Sequence, residues 1–165
     1  MQGHCEYRNG IGTDIHRLVP DRPLMLGGVH IPFPLGLLGH SDGDAVLHAV
    51  IDAMLGAAGL GDIGTFFPDT EPQWKDADSD GLLLLAREQV RKHRWEVVNV
   101  DLVIHAEQPK LGSFKGQIRR SIAGLLDIDF ANVNVKAKTA EGLGPVGQGA
   151  AIDTVAVVLL RRITK

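Results

Sequence analysis

Two apolar periodicities alternate along this chain, and their order constrains the fold more than any other feature of the sequence. Residues 97–105 place Val98, Val100, Leu102 and Ile104 on one side of an extended strand, the period of two of a half-buried sheet. Residues 133–137 and 152–160 read as further strands, as do 8–12 and 23–31 near the start. Within 23–31, Gly27-Gly28 separates Leu24-Met25-Leu26 from Val29-His30-Ile31, and two glycines free to take positive φ make that a hairpin turn. Between the strands lie three segments with a helical repeat. The first begins after Ser41, whose hydroxyl is read as its cap with Asp44 three residues on, and ends at Gly56 or Gly59. The second is capped by Ser79 and carries Leu82, Leu83, Leu85, Ala86 and Val90 as a core stripe; the third, about 114–126, buries Ile118, Ile122 and Leu125. This mixed order predicts an α+β fold, a two-layer α/β arrangement in which a mixed sheet of four to five strands carries helices on one face. The other sheet face is partly apolar and needs a cover, which a symmetric ring of sister subunits supplies.

With 165 residues, 44% of them hydrophobic, the chain has apolar material for one core. The expectation is a single domain over residues 8–165, preceded by a short, poorly ordered leader at 1–7. A net charge of −3 provides no global positive field, so neither nucleic acid nor an anionic membrane is an expected partner, and any anionic ligand must be held locally. The lone Cys5 can form neither an internal disulfide nor a thiolate cluster, which fits a reducing compartment. No stretch approaches the roughly 20 apolar residues of a membrane span, and residues 1–8 lack the apolar core of a secretion signal. A soluble protein of the bacterial cytoplasm is expected, or of the plastid stroma if the chain is a processed organellar protein.

Three local patterns carry chemistry. Asp14-Ile15-His16 puts a carboxylate and an imidazole two residues apart, so on an extended segment both point one way while Ile15 points into the core. His48 offers a third ligand, and one carboxylate with two imidazoles suits a catalytic Zn²⁺ with an open fourth position. With 7 histidines in the chain, the same residues read equally as a solvated turn and an ordinary helix histidine. Residues 40–44, His-Ser-Asp-Gly-Asp, enter the first helix, where free N–H groups and the helix dipole favour an anion, or where Ser41 and Asp44 simply cap. Asp44, His48 and Asp52 recur every four residues and form a polar row on that helix.

The combination is more specific than its parts. Gly12-Thr-Asp14-Ile-His16, His40-Ser-Asp-Gly-Asp44 with His48, Leu60-Gly-Asp-Ile-Gly64 and Phe67-Pro-Asp-Thr70 occur in this order, followed by Gln108-Pro-Lys110 and Asn134-Val-Lys-Ala-Lys-Thr139-Ala-Glu141. Over nearly the whole chain after residue 7 this resembles the 2-C-methyl-D-erythritol 2,4-cyclodiphosphate synthase family, enzymes of the non-mevalonate route to isoprenoid precursors. The resemblance implies a cytidine diphosphate-linked methylerythritol 2-phosphate as substrate, whose 2-phosphate attacks the β-phosphorus as CMP leaves. It implies Asp14, His16 and His48 as zinc ligands, and Glu141 as the carboxylate that holds a second ion, Mg²⁺ or Mn²⁺, at the diphosphate. His40 and Thr139 match the pair that steadies the transition state, and Ser41 matches a phosphate contact.

Substrate contacts carry over in the same way. Asp14, Ile15 and His16 border the substrate; Asp62, Ile63 and Gly64 match the ribose segment; Phe67, Pro68, Asp69, Thr70 and Glu71 match contacts to the erythritol. Ala106, Glu107, Gln108, Pro109, Lys110, Leu111 and Gly112 match the cytosine pocket, and Lys138, Thr139, Ala140 and Glu141 the diphosphate. In the family the nucleotide and the metal lie on different subunits of a homotrimer, which agrees with the uncovered sheet face. Asn9 stands at a strand position commonly apolar in the family, and Lys138 where some members have Thr. Pro145 occupies a position often aromatic or apolar. Gln148 replaces an Arg that in many members borders a central channel for isoprenoid diphosphates, so binding there is expected to be weak or absent. Two other readings use the same residues: a metal-dependent nucleotide-diphosphate phosphoesterase, and a non-catalytic trimeric scaffold with a structural metal.

Overall fold

The computed structural model describes residues 4–68, 70–74 and 77–164, and opens on a long strand, β1 (His4–Pro20). A leader through residue 7 and a strand confined to 8–12 were expected. Instead residues 4–7 already belong to the sheet, because β7 (Ala151–Thr164) runs antiparallel beside them, with Cys5 opposite Ile163 and Tyr7 opposite Arg161. The same pairing continues past Asn9, opposite Leu159, to Arg17, opposite Ala151, so Asp14 and His16 sit on a strand rather than in a turn.

Five strands form the main sheet in the order β4 (Leu35–Leu37), β1, β7, β5 (Glu96–His105) and β6 (Val133–Lys138). The β5–β6 pair is parallel and the others antiparallel, the mixed sheet that the element order predicts. A separate hairpin, β2 (Leu24–Leu26) with β3 (Val29–Ile31), turns through Gly27 at φ 64 and Gly28 at φ 73.

Gly10 and Gly12 decide how the second layer docks. A Cβ at either would run into the backbone of helix α1 (Ala45–Ala58), so only glycine lets helix and strand approach this closely. The helix is buried nearly all round, from Ala45 to Leu55, as a central core helix must be. Helix α3 (Ser79–Lys92) packs beside it, and α4 (Lys115–Leu126) packs on α3 and on β6, with the short helices α2 (Ile63–Phe66) and α5 (Gly144–Gly147) in the connecting segments.

Several local expectations change. Asp44, not Ser41, caps α1, and Asp78, not Ser79, caps α3, accepting from Asp80 N–H. Of the two glycines proposed to end α1, Gly59 does so, in the left-handed conformation at φ 73. Leu85 is 46% exposed and leaves the α3 stripe, while Leu126 rather than Leu125 completes the buried face of α4. Ile15 does not enter the core. Gly10 and Gly12 fix the even-numbered residues of β1 under α1, so Ile11 and Ile15 point to the other face and are 67% and 54% exposed. Val157, opposite Ile11, extends that apolar surface across β7.

Candidate active site

The alternation that exposes Ile15 places Asp14 and His16 under the first turn of α1. That turn is tightly anchored. The Asp44 carboxylate accepts from Val46 and Leu47 N–H as the cap, and also from Gly27 N–H at 2.8 Å and Gly28 N–H at 2.7 Å, joining helix to hairpin. His48, one turn along, therefore meets β1 at a fixed height. Asp14 Oδ2 lies 2.8 Å from His16 Nε2 and 3.0 Å from His48 Nδ1, and the two nitrogens are 3.3 Å apart. Four donors at 2.0–2.1 Å around a tetrahedral Zn²⁺ are about 3.3 Å from one another, so this triangle is close to one face of such a site. Among the described residues this is the group of His, Cys, Asp and Glu side chains whose donor atoms all lie within 4.8 Å of one another. Three donors leave a fourth position open.

Electrostatics favour a cation there. Burial pushes the Asp14 carboxyl up, but hydrogen bonds from His16 and His48 outweigh it and bring its pKa to about 2. The His16 imidazole is raised above its ordinary value, chiefly by its hydrogen bond to Asp14, against the opposing effect of burial.

The loop that enters α1 carries His40 and Ser41 beside this cluster. His40 is exposed, whereas Ser41 is buried, with its hydroxyl 3.1 Å from His48 Nε2. Arg22 donates to the carbonyls of Ser41 and Gly39 and holds the loop in place. Further along α1, Asp52 accepts from Ile63 N–H at 2.7 Å, so the row Asp44, His48, Asp52 has a purpose at every member. Asp52 ties to α1 the segment where Asp62 caps α2, accepting from the Thr65 N–H and hydroxyl. Its own pKa is raised by burial. Phe67 packs edge-on against Trp74 at 5.0 Å, while Thr70 and Glu71 are exposed. Asp69 lies outside the described residues.

At the far edge of the sheet a small cavity of about 170 Å³ joins Ala106, Pro109, Lys110, Leu111 and Gly112 to Lys138 and Thr139. Glu107 braces it from outside, accepting from Ala140 N–H at 3.3 Å on its carboxylate and from Lys110 Nζ at 3.2 Å on its carbonyl. Gln108 is not among the cavity-lining residues. The Thr139 hydroxyl donates to Glu141 at 2.6 Å, with Glu141 in the left-handed region at φ 52. Pro145 near the start of α5 and Gln148 just past its end are exposed and join neither group. A larger cavity of about 720 Å³, lined by residues such as Arg91, Trp95 and Arg161, contains none of the residues expected to act. Size is a poor guide here; the convergent donors are elsewhere.

One chain does not bring the two groups together. Asp14, Thr154, Ile104 and Ala137 form one row across β1, β7, β5 and β6, which separates the donor cluster from the Thr139 end by three strand spacings, roughly 14 Å. Two site residues escaped the sequence reading. Ser79 and Asp42 adjoin His48 and Ser41; the one available signal was that Asp78-Ser79 offers two caps to a helix that needs one.

Comparison with known proteins follows the same outline. The YgbB family profile matches residues 7–161. The chain is 55% identical over 156 residues to 2-C-methyl-D-erythritol 2,4-cyclodiphosphate synthase of Neisseria gonorrhoeae, covering 94% of this chain and 98% of that one. With the Treponema denticola protein of the same name identity is 50% over 153 residues, 93% of this chain and 95% of that one. A solved structure of such a synthase in its CDP-bound form superposes with a TM-score of 0.86 at 41% identity, over 93% of this chain and 99% of that one. The bifunctional IspDF of Campylobacter jejuni matches with a TM-score of 0.93 at 43% identity, over 96% of this chain but 43% of that longer one. In sequence and in fold, then, the chain belongs to the YgbB family, among relatives named 2-C-methyl-D-erythritol 2,4-cyclodiphosphate synthase.

Proposed function

We propose that this chain converts 4-diphosphocytidyl-2-C-methyl-D-erythritol 2-phosphate into 2-C-methyl-D-erythritol 2,4-cyclodiphosphate, with release of CMP. The observation that carries the reading is the open triangle of Asp14 Oδ2, His16 Nε2 and His48 Nδ1 in a chain whose relatives bear that enzyme's name. The reaction forms a bond from a 2-phosphate oxygen to the β-phosphorus and breaks the bond from that phosphorus to the oxygen bridging it to the α-phosphate, which leaves on CMP. No water enters the balance. The nucleophile is already anionic near neutral pH, so the protein needs neither a nucleophile of its own nor a strong base; it needs placement and charge stabilisation.

The residues divide accordingly. Asp14, His16 and His48 would hold Zn²⁺, which when bound supplies Lewis-acid stabilisation of phosphate oxygens. His40, the Ser41 hydroxyl and the Thr139 hydroxyl serve as donors to phosphate oxygens, and Glu141 would hold Mg²⁺ or Mn²⁺ at the diphosphate. Asp62, Ile63 and Gly64 take the ribose, and Phe67 to Glu71, with Asp69 among them, take the erythritol. The cavity from Ala106 to Gly112, beside Lys138, takes the cytosine, in line with relatives solved in complex with CDP, including the Plasmodium falciparum protein. Because the two groups of residues stand roughly 14 Å apart in one sheet, a complete site takes the metal from one subunit and the nucleotide rim from the next. A homotrimer packed through the apolar face of Ile11, Ile15 and Val157 satisfies both needs. Among the described residues no helix is long and apolar enough to cross a membrane; the bacterial relatives support an enzyme of the cytoplasm, or of the plastid stroma if the chain is a processed organellar protein.

Phosphorus NMR of the purified protein with this substrate tests the reading. Cyclisation gives the coupled resonances of a cyclic diphosphate together with CMP. Release of CMP from a substrate lacking the 2-phosphate would instead identify a phosphoesterase, and no turnover by zinc-loaded protein would leave a scaffold.

A further inference from the structure

The two ring nitrogens of His48 face different surroundings. Nδ1 points to Asp14 and His16, whereas Nε2 lies 3.0 Å from the Ser79 hydroxyl and 3.1 Å from that of Ser41. A hydroxyl can donate or accept, and a third group decides which. Behind Ser79 stands the Asp42 carboxylate, an acceptor only, and the Ser79 hydroxyl donates its hydrogen to Asp42 Oδ1. Asp42 is fixed in turn, accepting from Ser79 N–H on Oδ2 and from Asp44 N–H on Oδ1, both at 3.2 Å. With its proton committed, Ser79 Oγ can offer His48 only a lone pair, so Nε2 carries the hydrogen of that contact. In the metal-free cluster Nδ1 donates to Asp14 Oδ2; when a cation displaces that hydrogen, an imidazole that keeps its Nε2 hydrogen presents the bare Nδ1 a cation requires.

We propose that Ser79, backed by Asp42, is a positioning residue of the metal centre. It orients the His48 ring and selects the tautomer whose Nδ1 faces the open triangle. Ser79 is free for this task because Asp78 caps α3, and its full burial keeps water from competing for Nε2. The relay has a second effect. Ser41 Oγ accepts from Gly43 N–H at 3.2 Å and lies 3.4 Å from Ser79 Oγ, and with Ser79 accepting from His48 Nε2, the Ser41 hydroxyl keeps a hydrogen to donate, to Ser79 or to an incoming phosphate. The position of α3, far from β1 in sequence, thereby sets the quality of a ligand on α1.

This inference rests on the metal reading above, and one titration separates the two. Zinc affinity is measured by competition with a chromogenic chelator for wild type, S79A, S79T and D42N, alongside the melting temperature of each metal-free protein. Loss of an outer partner of a ligating histidine weakens binding by about 10- to 100-fold, and S79A is expected in that range. S79T keeps the hydroxyl and recovers most of the affinity; D42N, which weakens the acceptor behind Ser79, falls between. In zinc-loaded wild type the His48 Nε2 proton exchanges slowly enough for NMR detection, and in S79A it is lost to solvent. Wild type that binds zinc while folded S79A binds it equally well would overturn the inference alone. S79T as weak as S79A, at matching stability, would overturn it too, since bulk rather than the hydroxyl would then matter. Should S79A not fold, D42N with wild-type affinity and a retained Nε2 signal has the same force. Wild type without zinc affinity removes the metal reading and the inference together.

Discussion

The donor cluster under α1 and the rim at the end of β6 are built in contrasting ways. Asp14, His16 and His48 project from the sides of a strand and a helix and hold one another by hydrogen bonds, with His48 backed by the buried Ser79. Thr139 and Glu141 stand beyond the end of an edge strand, next to a cavity of about 170 Å³, with Glu141 exposed and accepting from the Thr139 hydroxyl two residues before it. Regular elements place side chains to within the tolerance of a metal ion in a single chain, whereas a rim of loop residues supplies adaptable contacts and becomes a pocket only when another surface closes it.

The sharpest way to break this contrast is H48A. With two donors left the triangle cannot hold Zn²⁺ firmly; losing several kcal/mol of Lewis-acid stabilisation corresponds to a fall in turnover of about 1000-fold or more. Metal analysis that found full zinc content, with turnover intact, would show that the cluster is a hydrogen-bonded ornament. The second effect in size comes from the open face. I11E puts a charge on a side chain that is 67% exposed in one chain and lies on the face assigned to the trimer contact. Sedimentation should then show monomer, with zinc retained and turnover down by about 100-fold, since the rim loses the positioning that the other subunit supplies. An active monomer would mean that each chain completes its own site despite the strand spacing.

G12A tests the packing beneath both. A Cβ there would press on the Ala49 carbonyl and the Ala53 amide of α1, and overpacking of this kind costs about 1–3 kcal/mol. The expected result in denaturant is a lower midpoint with an unchanged slope, and weaker zinc binding because His48 moves with the helix.

How much of this was legible beforehand follows the same contrast. Asp14 and His16 are visible because a period of two is a property of any strand, and His48 because a helical row announces itself. The face to which the strand turns its odd residues was not visible: that depends on Gly10 and Gly12 receiving α1, a contact between segments far apart in sequence, so Ile15 was assigned to the core. Residues 4–7 were read as leader because nothing local marks them as sheet; β7 recruits them. Ser79 looked like a cap because a Ser before an apolar stripe usually is one, and only the folded chain shows Asp78 taking that role and His48 facing the hydroxyl. The rim proposed for cytosine has no local signal beyond a loop; the family resemblance alone points to it.

A smaller effect separates the metal-free cluster from the loaded one by pH. The Asp14 carboxyl has its pKa lowered from 3.8 to about 2, so it contributes stability above 3.8 that is lost as pH falls toward 2. The His16 imidazole is raised above 6.5, so its contribution is complete below 6.5 and disappears as pH rises through the raised value. Metal-free protein should thus draw most from this cluster between those limits and weaken on the alkaline side. Zinc, which needs the neutral imidazole, should stabilise more as pH rises across the same range. Melting curves from pH 4 to 9 with and without zinc check both limbs; parallel curves would mean that the metal does not bind at His16.

The smallest expected effect concerns Gln148, one of the residues that depart from the family pattern, which stands outside both groups. Gln148 is exposed just past α5, and where the family resemblance implies an Arg bordering the trimer channel it offers a neutral amide. An amide can donate one or two neutral hydrogen bonds to a diphosphate, but it lacks the charge and the forked pair of N–H groups of guanidinium. Isothermal calorimetry with geranyl diphosphate should therefore give little heat with the native chain, and Q148R should strengthen binding by about tenfold, the worth of one charge-assisted hydrogen bond at roughly 1.5 kcal/mol. Such a gain needs neither the zinc ligands nor the cytosine cavity, so turnover of Q148R without added isoprenoid should match that of the native chain. Tight binding by the native chain would mean that other groups of the rim, Lys138 among them, already supply the missing charge, and that the rim is better prepared than its exposure in one chain indicates.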